Sequence, residues 1–166
     1  TLASAGLLFA CGRAGLVHVP INSLLKPPQV EHILSDSGAR LLVTLHDRAE
    51  SLEVASSVTV LTIEHDWETL TASAPFTGSS ADPSSLAALL YTSGSTGSPK
   101  GVMVTHANLW LGAESVAHYL ALQSDDRVLA LLPFSFDYGL NQMLSMFRAG
   151  GTVVLHDFLL AKSAVK

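Results

Sequence analysis

The chain is poor in cysteine, in charge and in long apolar runs. Cys11 is the only cysteine among 166 residues, so neither an internal disulfide nor a thiolate metal cluster can form within it. Nine lysines and arginines stand against 14 aspartates and glutamates, a formal charge of −5. The basic residues are scattered, which argues against nucleic acid or an anionic membrane surface as partner. A membrane-spanning helix needs about 20 apolar residues; the run Leu2 to Ala10 is shorter and is followed by Gly12 and Arg13. That run also lacks the charged start and cleavage site of a signal peptide. His18, His32, His46, His65, His118 and His156 show no metal-ligand spacing, so no metal site is expected from them. Trp67 and Trp110 read as packing residues. A cytoplasmic setting is compatible with this composition.

Apolar residues make up 48% of the chain and charged residues 14%, which excludes disorder and favours a heavily buried α/β core. Short apolar runs alternate with segments of helical period, the signature of βαβ units. A helix is already under way at Leu2–Ala10. Val17–Pro20 reads as a short strand. The next helix enters through Pro27-Pro28, places Val30, Ile33 and Leu34 on one face, and stops at Gly38. Strands are expected at Arg40–Thr44 and Val58–Thr62, with a helix over Asp47–Ser56 between them. Residues 71–85 are small, polar and broken by proline, which predicts a surface loop. Leu86–Tyr91 is apolar on both faces, as a central parallel strand would be. Val102–Val104 is extended, and Thr105 is a candidate N-cap for a helix presenting Leu109, Ala113, Val116 and Leu120. A strand at Val128–Leu132, a helix carrying Leu140, Met143, Leu144 and Phe147 up to Gly150-Gly151, and a strand at Thr152–Leu155 complete the pattern. The expected fold is α/β, a doubly wound and mostly parallel sheet with flanking helices.

The strongest chemical signal is Tyr91-Thr92-Ser93-Gly94-Ser95-Thr96-Gly97-Ser98-Pro99-Lys100-Gly101. It follows a buried strand directly, where open α/β sheets bind ligands. Gly94, Gly97 and Gly101 allow the backbone to approach closely and aim N–H groups at phosphate oxygens. Thr92, Ser93, Ser95 and Thr96 add hydroxyl donors, and Lys100 adds a full positive charge. The set suits a polyphosphate. It is not the common nucleoside-triphosphatase loop, which needs Gly-Lys followed by Ser or Thr at a helix start. Here Pro99 precedes Lys100, and Gly101, Val102 and Val104 return the chain to a strand. Neither a dinucleotide glycine fingerprint nor a Gly-x-Ser-x-Gly elbow is present. A plain Ser/Gly linker is the bland alternative, but linkers rarely sit clamped between two apolar strands with a Pro-Lys-Gly end.

Tyr91 to Gly101 resembles the signature of the adenylate-forming superfamily: acyl-CoA synthetases, luciferases and the adenylation domains of peptide synthetases. Thr105-His106-Ala107-Asn108 is similar to the family's Thr-His-x-Asn stretch. Gly15–Asn22 and Asp36-Ser37-Gly38-Ala39-Arg40 resemble its approach to the first sheet. The resemblance covers nearly the whole chain. It implies a partial N-terminal AMP-binding domain over residues 1–166: first βα units at 1–70, a surface loop at 71–85, strand, phosphate loop and return strand at 86–105, and further βα units at 106–166. It also implies that Thr92, Ser93, Gly94, Ser95, Thr96, Gly97 and Lys100 hold the phosphates of ATP with Mg²⁺, Lys100 in a catalytic role. The implied substrate is a small-molecule carboxylic acid, and the implied acceptor is a coenzyme A or pantetheine thiol.

A second stretch, Leu132 to Asn141, follows a strand and opens a helix. Many acyl-CoA synthetases resembling this chain carry histidine at the place of Phe136. Phe136-Asp137 instead looks like the Phe-Asp pair of amino-acid adenylation domains, which makes Asp137 an anchor for a substrate ammonium and Phe136 and Tyr138 pocket walls. Asp137 could equally cap the following helix. Phe134 to Gln142 most resembles acyl-CoA ligases of exopolysaccharide and exosortase gene neighbourhoods, which puts acyl chemistry, and with it fatty acid metabolism, first. An amino-acid adenylation domain and a non-catalytic nucleotide-binding module are the alternatives. His106 could line the site, although a structural role is favoured. The family's adenine and ribose motifs, hinge and C-terminal lysine do not occur in the sequence, so the chain is expected to be a fragment without the C-terminal domain and not competent by itself.

Overall fold

The computed structural model of the chain describes residues 2–72, 78, 82–92 and 99–156. Two helices lead. The first, α1 (Leu2–Ala14), buries Ala3, Ala5 and Leu8. The second, α2 (Pro27–Ser37), begins on its two prolines and buries Val30, Ile33 and Leu34, as the sequence predicts. Its start is closed by Gln29, whose Oε1 accepts the Lys26 N–H at 2.9 Å. It ends at Gly38 with φ 64°, a left-handed conformation that costs glycine little because it has no Cβ.

The next unit runs through β1 (Leu41–Thr44), α3 (His46–Glu50), β2 (Thr59–Thr62) and α4 (Ile63–Thr71). Strands β1 and β2 are parallel, from Leu41 opposite Thr59 to Thr44 opposite Thr62. Leu42 joins Val30 and Leu34 in a small core beneath them. Helix α3 is shorter than its sequence pattern suggests. The Ser51 hydroxyl donates to the Arg48 carbonyl at 2.7 Å, and the Glu53 N–H is taken by Glu31 of α2 at 2.9 Å. Local and tertiary hydrogen bonds thus claim the groups that would continue the helix. Helix α4 has no counterpart among the expected elements. Within the expected surface loop, residues 73–77 and 79–81 lie outside the described residues.

The strand β3 (Leu86–Thr92) and its partner β4 (Lys100–Thr105) form an antiparallel ladder with Thr92 opposite Lys100. The expected parallel setting of β3 is therefore corrected on its β4 side. Seven residues separate the two strands, and a parallel neighbour requires a crossover of about a dozen or more. On its other side β3 has one parallel bridge, between Ala88 and His18, which is what the expected strand Val17–Pro20 amounts to. Burial lowers the pKa of His18 there.

After β4 come α5 (His106–Tyr119), β5 (Arg127–Ala130), α6 (Asp137–Ala149) and β6 (Thr152–Leu155). Strands β5 and β6 are parallel, with α6 as their crossover. The main core joins Ala5 and Leu8 of α1, Ala88 and Leu90 of β3, and Leu140 and Met143 of α6. The chain thus has the α/β architecture the sequence implies, with parallel pairs and flanking helices. No helix among the described residues is long and apolar enough to cross a membrane.

Thr105 caps α5 as expected. Its Oγ1 accepts the Asn108 N–H at 3.1 Å, while Asn108 Oδ1 accepts the Thr105 N–H at 3.2 Å. Thr105→Ala is expected to lower unfolding free energy by about 1 kcal/mol, the usual worth of such a cap, measurable as a lower urea midpoint at unchanged slope. A Thr105→Ser variant should lose little.

Candidate functional site

The expected phosphate loop begins and ends on one ladder. Thr92, the last residue of β3, and Lys100, the first of β4, face each other in register and are both exposed. Ser93, Gly94, Ser95, Thr96 and Gly97 lie outside the described residues. Lys100 has no ion pair among the described residues, so its ammonium is open to an outside anion. The start of α5, by contrast, is closed to an anion. His106 N–H donates to Ser85 O at 3.1 Å and Ala107 N–H to Pro83 O at 2.8 Å, and Asn108 N–H goes to the Thr105 cap.

Two residues of α2 hold the neck of this hairpin. The Tyr91 hydroxyl donates to the Asp36 carboxylate at 2.6 Å. His32 Nε2 donates to the Pro99 carbonyl oxygen at 3.1 Å; a carbonyl only accepts, so the hydrogen is on that nitrogen. The Tyr91 ring reaches Asp36 by lying across its cross-strand partner Gly101. A Cβ at Gly101 would sit 3.1 Å from ring carbon Cζ, tighter than ordinary contact.

The Tyr91 hydroxyl is pushed up to about 12, first by partial burial and then by the hydrogen bond to Asp36 and that carboxylate's charge. All of these favour the neutral phenol. A raised folded pKa on an acid means that its contribution is fully present below the unfolded value of 10.0 and is lost as pH rises towards about 12. In that window the wild type is expected to lose more stability than Tyr91→Phe, read from paired urea titrations.

The second group starts α6. Phe136, not Asp137, occupies the N-cap, and no side chain there makes a capping hydrogen bond. The capping role for Asp137 is thereby corrected. Asp137 lies one residue further on, in the first turn, where its charge suits the positive end of the helix dipole. Its carboxylate makes no ion pair among the described residues. Phe136 and Tyr138 stack at 6.4 Å between ring centroids and are 54% and 73% exposed. Such a surface could take an apolar or ammonium-bearing substrate. Among the described residues no hydrogen bond or ring contact joins this group to Thr92 and Lys100. His106 belongs to neither group. It lines a cavity of about 520 Å³ with Leu8, Phe9, Trp110 and Phe147.

Reading along the sequence missed the α2 contacts. The signal available was the spacing of His32 and Asp36, four residues apart and hence neighbours on one side of a helix.

The description "AMP-binding enzyme" belongs to a family model that matches residues 4–165. A feruloyl-CoA synthase from Amycolatopsis sp is 38% identical over 152 residues, covering 90% of this chain and 30% of the relative. Phosphinothricin tripeptide synthetase PhsC from Streptomyces viridochromogenes is 38% identical over 149 residues, covering 89% of this chain and 14% of the relative. The chain thus spans less than a third of the length of these relatives. Among solved structures, VinN in complex with L-aspartate is similar at 30% identity with a TM-score of 0.85, covering 98% of this chain and 43% of that one. ATP-bound MatB from Rhodopseudomonas palustris shares the fold, with a TM-score of 0.86 at 24% identity over 99% of this chain and 35% of that one.

Proposed function

Because this chain belongs to the AMP-binding enzyme family, we propose that the full-length protein carrying it activates a carboxylic acid with ATP and passes the acyl group to a thiol. The observation that carries this reading is the neck of the hairpin, where an exposed Lys100, without a carboxylate partner among the described residues, faces Thr92. A carboxylate is a poor acyl donor because its leaving group would be oxide. Attack of a carboxylate oxygen on the α-phosphorus of ATP breaks the bond to pyrophosphate and gives acyl-AMP. The sulfur of a coenzyme A or pantetheine thiol then displaces AMP, and the thiol proton passes to solvent.

Lys100 is proposed to hold the charge that grows on departing pyrophosphate, as a positive donor already present when that charge develops. Thr92 adds a hydroxyl donor on the facing strand. We assign Ser93, Gly94, Ser95, Thr96 and Gly97 to the same phosphate contact on their chemistry in sequence. Mg²⁺ is proposed to arrive with the triphosphate, whose oxygens would supply some of its ligands. When bound it would neutralise phosphate charge. Phe136, Asp137 and Tyr138 are proposed to meet the acid. The adenine, ribose and C-terminal lysine motifs do not occur in this sequence, so we expect the chain alone to be inactive. ATP and a coenzyme A thiol as reactants suit a cytoplasmic setting.

Asp137, which makes no ion pair among the described residues, supports a second reading, an amino-acid adenylation domain, in which its carboxylate binds the substrate ammonium. Acid-dependent ATP–pyrophosphate exchange tests both. Fatty and aromatic acids should support exchange under the acyl reading, and amino acids under the second. Failure of the full-length protein with every acid in a broad panel would overturn both, leaving a nucleotide-binding module.

A further inference from the structure

We propose that α2 is a positioning element for phosphate binding, with His32 and Asp36 fixing the neck of the β3–β4 hairpin so that Lys100 and Thr92 stand at a set separation and height. The inference rests on the ligase reading above and deepens it. A hairpin end is otherwise the weakest part of a two-stranded ladder, because a pair of strands alone is marginally stable in water. Here each strand end is held from outside. Tyr91, next to Thr92, is tied to Asp36 at 2.6 Å, and Pro99, next to Lys100, is tied to His32 at 3.1 Å.

The two ties are independent in chemistry and converge on one helix. His32 and Asp36 are four residues apart, one turn of α2. The opposite side of that helix is anchored, with Val30, Ile33 and Leu34 at 3%, 1% and 7% exposure. A buried helix is a rigid base, so the neck inherits its position from a core on the far side of α2. The Gly101 close approach completes the device. With no Cβ there, the Tyr91 ring crosses the ladder to reach Asp36 without displacing β4. Neither His32 nor Asp36 is assigned a contact with substrate. Both act through the strand ends, and a misplaced ammonium weakens phosphate binding more than acid binding.

The test compares Tyr91→Phe, Asp36→Ala, Asp36→Asn and His32→Ala in the full-length protein, by ATP–pyrophosphate exchange. Tyr91→Phe and Asp36→Ala should each raise KM for ATP roughly five- to tenfold, in the range of a charged hydrogen bond partly screened at the surface, and His32→Ala, which removes a neutral bond, about two- to fivefold. KM for the acid should change little, and the thermal midpoint should fall only by the modest amount that one lost hydrogen bond accounts for. The Tyr91→Phe/Asp36→Ala double variant should be no worse than either single one, because both substitutions remove the same bond. Asp36→Asn, whose amide oxygen still accepts, should keep most of the wild-type KM. An active wild type whose KM for ATP moves less than twofold in both Tyr91→Phe and Asp36→Ala overturns the inference and leaves the ligase reading intact. So does a parallel rise in both KM values with a falling thermal midpoint, since that marks a structural brace only. A wild type without exchange sinks the ligase reading instead. Amide hydrogen exchange then decides the clamp: Tyr91→Phe should speed exchange at 91–92 and 100–101 while leaving β5 and β6 unchanged, and equal rates at the neck would refute it.

Discussion

Lys100→Ala in the full-length protein is expected to lower the rate of acid-dependent ATP–pyrophosphate exchange by about 10²- to 10³-fold, the size of effect seen when one preorganised donor to a developing anion is removed. The reason lies in where the charge sits. Lys100 opens β4 opposite Thr92 and is exposed, with no acidic partner among the described residues. Its charge therefore contributes little to the fold, and thermal stability should stay within about 0.5 kcal/mol of wild type. Lys100→Arg keeps the charge but spreads it over a planar fork with different reach, so partial recovery is expected. Thr92→Ala removes only a neutral donor and should cost less. The loss should appear in KM for ATP as well as in kcat, because the ammonium meets the phosphates in the bound state and their charge grows further on the way to the transition state. Exchange retained within a few-fold in Lys100→Ala would remove this residue from the reaction.

Gly139→Ala is the substitution expected to damage the fold most, by about 3 kcal/mol, the upper part of the usual range for overpacking a tight site. Gly139 is buried in the first turn of α6. A Cβ there would lie 2.8 Å from the Leu132 carbonyl oxygen and 2.9 Å from the Pro133 carbonyl carbon, and closer still to the Pro133 oxygen. Those atoms are backbone, so no side-chain rotation relieves the clash. Either α6 moves off the main core, where Leu140 and Met143 are 2% and 1% exposed, or the turn at 132–136 moves. That turn carries Phe136 into the N-cap, hydrogen-bonded from Phe136 N–H to Pro133 O at 3.0 Å. Denaturant unfolding should show the loss, and KM for the acid should rise with it if Phe136, Asp137 and Tyr138 meet the substrate. A variant as stable as wild type would mean that the turn relaxes freely.

These effects were legible in the sequence to different depths. The prolines at the start of α2, its glycine stop and its apolar face were readable because caps and helical periodicity are local. So was the Thr105 cap, through its residue type just ahead of a helical apolar pattern. The return from the glycine-rich loop into a strand followed from Pro99 and the β-branched residues after it. The direction of pairing was misread for β3 on its β4 side, because an apolar strand looks alike in a parallel or an antiparallel ladder. Loop length, rather than composition, decides between them. For Asp137 the residue type suggested a cap, but the turn after Pro133 placed Phe136 at that position.

By itself the sequence determined the α/β class, the order of most elements and the hydroxyl, glycine and lysine make-up on which the proposed phosphate loop rests, since all of these depend on residues near one another along the chain. Only the tertiary structure decided what holds the neck of that loop. The Tyr91–Asp36 and His32–Pro99 bonds join residues 55 and 67 positions apart. No local propensity encodes contacts of that span; they arise because burying Val30, Ile33 and Leu34 fixes α2 in the core and thereby sets where its polar side must lie.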